Sequence, residues 1–341
     1  CAIADDGDVW CWGDNAFGQL GNSGFPGEFS AVPVRVTSLG AGRSAQQIVA
    51  GANHTCVLAN DSTVWCWGEG SFRQLGVRLV GSEMCIRDRM CWGRNTKGQA
   101  GVGTVTVGGG ITPTDVTGVP GTFTVADLDP GNLHVCAVAT GGSMYCWGYD
   151  NAGQLGTVSD GFADVHVPTA VDSPGSPALS LSSGRNFTCA VLDGGSVSCW
   201  GANGNGQLGR GSTSPASTSA CLSVTLPGVV SRVVAGDSHA CALLTDGSVS
   251  CWGSSSVGQV GDGTRGANVL TPVAVTGLEG SVQDIATGKN HVCAVIVTGA
   301  VQCWGANTGG QLGVDDVADR SSPARVRTVT VASTTTTTTT T

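Results

Sequence analysis

Short apolar runs alternate with glycine-bearing turns along most of the chain, and one stretch shows the unit clearly. Val233-Val234-Ala235-Gly236 is an apolar run closed by glycine, and His239-Ala240-Cys241-Ala242-Leu243-Leu244 is a second run. Thr245-Asp246-Gly247 then reads as a three-residue hairpin loop, with glycine where a positive φ is needed. Ser248-Val249-Ser250-Cys251-Trp252-Gly253 returns as a third strand. A further strand, such as Thr271-Pro272-Val273-Ala274-Val275, is expected to lead each unit, giving four strands per repeat.

The unit recurs. Cys-Trp-Gly occurs seven times, at 11–13, 66–68, 91–93, 146–148, 199–201, 251–253 and 303–305. Its tryptophans are spaced by 55, 25, 55, 53, 52 and 52 residues. A Gly-Gln-Leu-Gly-like turn follows, as in Gly18-Gln19-Leu20-Gly21, Gly206-Gln207-Leu208-Gly209 and Gly310-Gln311-Leu312-Gly313. A lone four-stranded sheet with apolar residues on both faces cannot bury them, so neighbouring copies must stack. Closing the stack into a ring removes its exposed end faces.

The run Ala-Gly-x-x-His-x-Cys-Ala-Leu, then Asp-Gly-x-Val, Cys-Trp-Gly and Gly-Gln-Leu-Gly resembles the regulator of chromosome condensation repeat, in a cysteine-containing, bacterial-type variant. The resemblance covers nearly the whole chain. It implies an all-β fold, a β-propeller of about seven four-stranded blades, one blade per repeat. One propeller domain is expected over 1–331, with 332–341 a Thr-rich linker or tail. Pro323-Ala324-Arg325-Val326 resembles a leading strand and residues 1–13 a hairpin without one, so the two are expected to share a blade.

The 25-residue interval between Trp67 and Trp92 breaks the pattern. Residues 77–90 match no other copy and hold two of the three methionines. They are expected to be foreign sequence that replaces about half a blade, leaving that blade truncated; a degenerate blade with a genuine insertion is the alternative. The chain also opens on Cys1 inside a repeat, so it reads as a fragment or a processed product.

Composition narrows the function. Gly contributes 54 of 341 residues and charged residues only 12%, which suits strands joined by tight turns. Net charge is −9, and lysine occurs only as Lys97 and Lys289. Nucleic-acid binding draws most of its affinity from a basic face, which is missing here. No apolar run approaches the roughly 20 residues that span a bilayer, so no membrane insertion is expected of the visible chain.

Fifteen cysteines are too many for an ordinary cytosolic protein. Six pairs share a ten-residue spacing: Cys1 and Cys11, Cys56 and Cys66, Cys136 and Cys146, Cys189 and Cys199, Cys241 and Cys251, and Cys293 and Cys303. With a three-residue loop at 245–247, Cys241 and Cys251 fall directly opposite at a non-hydrogen-bonded site, where Cα atoms approach to roughly 4.5 Å. Disulfides are the expectation, and they place the protein outside the cytosol. Reduced packing cysteines and a metal site are the alternatives, although no C-x₂-C pair is present to favour zinc. Cys91 has lost its partner position to Gly81, and Cys221 and Cys85 have no obvious mates.

Other candidates have plain structural readings. His54, His134, His239 and His291 share one repeat position, held by Phe187 in a fifth copy. A channel-facing imidazole ring is conceivable, but hydrogen bonding within each blade is expected instead. The Cys-Trp-Gly tryptophans should be core packed on the next blade, with Trp10 and Trp65 as exposed contacts. Asp315, Asp316 and Asp319 lack the spacing of an EF-hand loop and read as solvated carboxylates. No elbow, zincin or phosphate-loop motif is present, so no enzyme and no cofactor are expected.

The leading expectation is a secreted or cell-surface binding module, recognising a protein or glycan through propeller-face loops. It is expected to act as a monomeric module of a larger polypeptide. The loops after Gly-Gln-Leu-Gly vary most, for example 22–31 and 210–220, and variable loops on a rigid scaffold are where recognition sits. The resemblance also implies two alternatives: a guanine nucleotide exchange factor-like regulator of a small GTPase, and a secreted enzyme-inhibitor propeller.

Overall fold

A computed structural model of the chain describes residues 1–22, 27–37, 39, 42–50, 54–61, 63–68, 79–80, 90–106, 110–119, 124–157, 162–172 and 175–327. Most of 77–90 and all of 332–341 lie outside them. The described strands form seven sheets, numbered here in chain order. Sheet 1 comprises Ala2–Ile3, Val9–Gly13 and Ser30–Arg35; sheet 2, Ala45–Ala50, His54–Ala59, Thr63–Gly68 and Leu79–Val80. Sheet 3 has only Met90–Arg94 and Gly110–Asp115. Sheet 4 has Val125–Pro130, His134–Ala139, Met144–Gly148 and Val165–Ala170. Sheet 5 has Ala178–Ser183, Phe187–Leu192, Val197–Ala202 and Ser217–Val224; sheet 6, Val230–Ala235, His239–Leu244, Val249–Gly253 and Val269–Ala274. Sheet 7 has Val282–Thr287, His291–Ile296, Val301–Gly305 and Arg320–Arg325.

The fold is an all-β propeller, and two expectations about it are corrected. Among the described residues, six sheets make blades, five with four strands and one with three. Sheet 3 is a two-stranded remnant, so the count is six blades rather than about seven. The reason is local: Leu79–Val80 pairs with Thr63–Gly68 as the fourth strand of sheet 2, and no hairpin precedes Cys91 among the described residues.

The second correction concerns the strand at each repeat junction. Val269–Ala274 pairs with Val249–Gly253, so it closes the sheet before it rather than leading the next one. Likewise Gln302 faces Arg325 and Cys303 faces Ala324, which keeps 320–325 in sheet 7 and out of the blade of residues 1–13. Each sheet is contiguous in sequence. Ring closure comes from packing and hydrogen bonds between sheets 7 and 1 instead of a shared blade.

The core lies between sheets. Phe187, Val191 and Leu208 of the sheet 5 repeat pack with Val233, Ala242 and Trp252 of sheet 6 in one cluster. Equivalent clusters join sheets 6 and 7, 4 and 5, 1 and 2, and 3 and 4. The last seam has its own: Leu312 and Val326 of the sheet 7 repeat with Trp12 of sheet 1. Among the described residues, apolar faces thus cover one another at six seams, as stacking of incomplete units requires.

Candidate functional site: the loop end of the ring

The third strand of each sheet ends in Cys-Trp-Gly, and the chain then loops out before returning as the fourth strand. These loops share one end of the ring, and their roots are built alike. The tryptophan indole N–H donates to the backbone carbonyl of the glutamine in the preceding repeat's turn. Trp67 donates to Gln19 at 2.8 Å, Trp147 to Gln99 at 3.0 Å, and Trp200 to Gln154 at 3.0 Å. Trp252 donates to Gln207 at 2.8 Å and Trp304 to Gln259 at 3.1 Å. These tryptophans are buried as expected, but they pack and bond against the preceding repeat rather than the next blade, as Trp252 does with Phe187 and Val191. Glycine is required in this turn: at Gly21, with φ 62°, an added Cβ would sit 2.7 Å from the Trp67 Nε1.

In the repeats of sheets 3, 5 and 7 a buried amide holds the loop from below, while Asp150 and Ser255 stand at that position in sheets 4 and 6. The Asn203 Oδ1 accepts from Leu208 N–H at 3.2 Å, while its Nδ2 donates to the Ser212 carbonyl at 2.9 Å. Asn307 does the same with Leu312 and the Asp316 carbonyl, at 2.9 and 2.8 Å. Asn95 repeats it with Ala100 and Thr104. All three asparagines are fully buried. Such satisfied buried amides fix the loop roots and leave the tips free to differ.

The tips carry what the repeat pattern did not reveal. Phe17, Phe29, Val105, Phe162 and Val317 are exposed large apolar side chains on these loops. Acidic groups lie among them. Asp316 accepts from Ala318 N–H, Asn307 Nδ2 and the Arg320 guanidinium, and these bonds hold its carboxyl below the usual range. Lys97 pairs with Asp164 at 3.0 Å, with its ammonium 4.5 Å from the Tyr149 ring centre. Among the described residues, no group of three or more His, Cys, Asp or Glu is placed to hold a metal ion.

The cysteines and histidines sit beneath this end. In all six pairs the two residues face each other across the hairpin, as Cys136 faces Cys146 and Cys241 faces Cys251. Their sulfurs lie 2.04–2.11 Å apart, disulfide distance, with Cα separations of 3.9–4.2 Å. Cys91, expected to lack a mate, is disulfide-bonded as well. Cys221 is free; burial pushes its thiol up to about 12, so it is no nucleophile near neutral pH.

The histidines do not bond within their own blades as expected. His134 Nε2 meets Thr188 Oγ1 of the next sheet at 3.1 Å, and Thr188 donates on to the Gln154 carbonyl at 3.0 Å. At the next-but-one seam the residue matching Thr188 is Val292, and both nitrogens of buried His239 are without partners. The side chain of His54 lies outside the described residues. Trp65 is half-buried rather than free: its indole N–H donates to Thr63, and the Arg43 guanidinium lies 4.7 Å from its ring centre. Trp10 is half-buried too.

Taken together, the stacked four-stranded sheets, the indole-to-carbonyl seams and the loop-bearing end define a repeat β-propeller. The chain belongs to the Regulator of chromosome condensation (RCC1) repeat family, which matches over residues 6–58, 141–191, 194–243 and 246–295. A second form of the repeat matches 45–74, 126–154, 179–207 and 230–259. The chain is 29% identical to the Ultraviolet-B receptor UVR8 of Arabidopsis thaliana, over 95% of this chain and 79% of that protein. It is 28% identical to the mitochondrial RCC1 domain-containing protein RUG3 of the same plant, over 95% and 67%. With the probable E3 ubiquitin-protein ligase HERC4 of Homo sapiens it shares 29% identity over 93% of this chain but only 32% of that protein. In fold it is similar to Prp20p of Saccharomyces cerevisiae, with a TM-score of 0.80 and 20% identity over 95% of this chain and 86% of that one. Human WBSCR16 follows at a TM-score of 0.59 and 22% identity, over 94% and 76%.

Proposed function

We propose that this chain is a non-catalytic binding module that works outside the cytosol, holding a protein or glycan ligand at the loop end of its ring. One observation carries the reading: the loop roots repeat from sheet to sheet through the same indole-to-glutamine bond, reinforced by a buried asparagine in sheets 3, 5 and 7, while the tips expose unlike apolar and acidic groups. A rigid frame with divergent tips suits recognition, since little order must be imposed on binding. The six cysteine pairs at disulfide distance favour an oxidising compartment. Replacing loops 22–31 and 210–220 together with the remaining loop tips by Gly-Ser linkers should abolish ligand capture without unfolding the ring. Capture that survives loss of every tip would refute the reading.

A second reading, regulation of a small GTPase, rests on the likeness to Prp20p, whose crystal structure was described with its binding to Gsp1p and histones. At 20% identity that likeness speaks for the fold. Nucleotide release from a panel of small GTPases tests it, and no acceleration is expected.

A further inference from the structure

Four loops at the loop end cross to the following sheet through an equivalent backbone bond. In three of them the donor is glycine at positive φ: Gly103 (77°) to the His166 carbonyl, Gly211 (75°) to Leu270, and Gly263 (90°) to Ser321. At the closing seam the donor is Asp315, with φ 70°, bonded to the Ala31 carbonyl at 2.9 Å. Glycine takes that conformation freely and an L side chain resists it. Sheet 7 thus keeps a carboxylate where sheets 3, 5 and 6 keep glycine.

Its surroundings are unusual as well. The bond to Ala31 draws the loop of Val317 against the strand that follows Phe29, and the Gly27 N–H donates to the Asn15 carbonyl at 3.0 Å, tying Phe29 to the loop of Phe17. These three apolar side chains are 52%, 47% and 45% exposed for Phe29, Phe17 and Val317. Acidic residues stand beside each: Glu28 next to Phe29, Asp14 near Phe17, and Asp315 and Asp316 before Val317. Arg320 is engaged by Asp316, and Arg327 reaches Asp315 only at 3.6 Å. Asp14 and Glu28 have no cation within ion-pair distance among the described residues.

We propose that this seam between sheets 7 and 1 is a docking surface for a protein segment in which Lys or Arg flank a large apolar side chain. The proposal rests on the loop-end reading above and makes it specific. An apolar anchor would cover Phe29, Phe17 and Val317, and the flanking cations would meet carboxylates that now face solvent. The net charge of −9 favours the approach of such a segment and opposes anionic partners such as nucleic acid.

The test uses the full chain under non-reducing conditions and two short synthetic peptides, read by fluorescence anisotropy. One alternates Lys with Leu and Trp; the other carries Glu at each Lys position. The cationic peptide should bind about tenfold more tightly, and less so as salt rises. Paired Phe29→Ser and Val317→Ser substitutions should weaken it about fivefold or more, whereas Leu179→Ser, near the opposite end, should leave it unchanged. Asp315→Gly supplies the residue that three other seams use, so it should fold and still bind the cationic peptide less well. Equal binding of the two peptides, no binding of either, or seam variants that bind like the parent would overturn the proposal. If binding then maps to the 210–220 loop, the seam assignment fails while the loop-end reading stands; if no loop variant matters, both fail.

Discussion

Trp12 donates its indole N–H to the carbonyl oxygen of Gln311 at 2.9 Å, across 299 residues of sequence. This is the seam bond made by five other tryptophans, here between the last sheet and the first. Gly13 approaches Gln311 as well, where an added Cβ would lie 3.3 Å from its Cα. The closing seam is thus built from the same parts as the internal ones, although no strand is shared across it.

A closed ring makes Trp12 as structural as Trp252. Phe at either position keeps most of the apolar area but orphans a carbonyl oxygen, at about 1–3 kcal/mol. Trp12→Phe and Trp252→Phe should therefore lower the melting temperature by comparable amounts in thermal unfolding. An open ring would leave Trp12→Phe nearly neutral.

The pairing of His134 with Thr188 and the orphaned state of His239 beside Val292 give a second expectation. Val-to-Thr in a core normally destabilises, because a hydroxyl replaces a methyl. At Val292 the new hydroxyl would find the Gln259 carbonyl and His239, as Thr188 finds Gln154 and His134. Val292→Thr should leave stability unchanged or raise it by up to about 1 kcal/mol. Val191→Thr, equally buried with no imidazole to meet, should lower it.

Acid should loosen the ring. Burial drives the imidazoles of His134 and His239 down to about 4 and about 3, and His291 to about 4, from 6.5. The unfolded chain takes these protons more readily, so the stability they contribute is complete above pH 6.5 and is lost as pH falls toward 4. Each fully buried imidazole accounts for about 3 kcal/mol by pH 4. Asp129 runs the other way. Burial raises its carboxyl to about 6, so the folded state binds that proton first and gains between pH 6 and 4. The imidazoles outnumber it, and melting temperature should fall over this range. His239→Phe, the residue type found at Phe187, should flatten the decline; an unaltered slope would contradict the assignment.

Much of this was legible because it is local. The hairpin register that sets Cys241 against Cys251 follows from a three-residue turn, and the repeat follows from counting Cys-Trp-Gly. The junction strands were misplaced because Thr271–Val275 lies between two hairpins, and its alternation reads the same whichever sheet it joins. The seam bonds were invisible for another reason: the acceptor is a backbone carbonyl, which every residue carries, about 50 positions away. Phe17, Phe29 and Val317 escaped because exposed loop side chains follow no period. Asp315 did leave a trace, standing where Gly103, Gly211 and Gly263 stand in other copies.

The most direct test of an oxidised binding scaffold outside the cytosol is cysteine connectivity in native material, mapped by mass spectrometry of non-reduced peptides. The expected result is six intra-hairpin bridges, Cys1 to Cys11 through Cys293 to Cys303, with Cys221 as a free thiol. Free thiols at those twelve positions would contradict the account and return the chain to the reducing compartments of the cell.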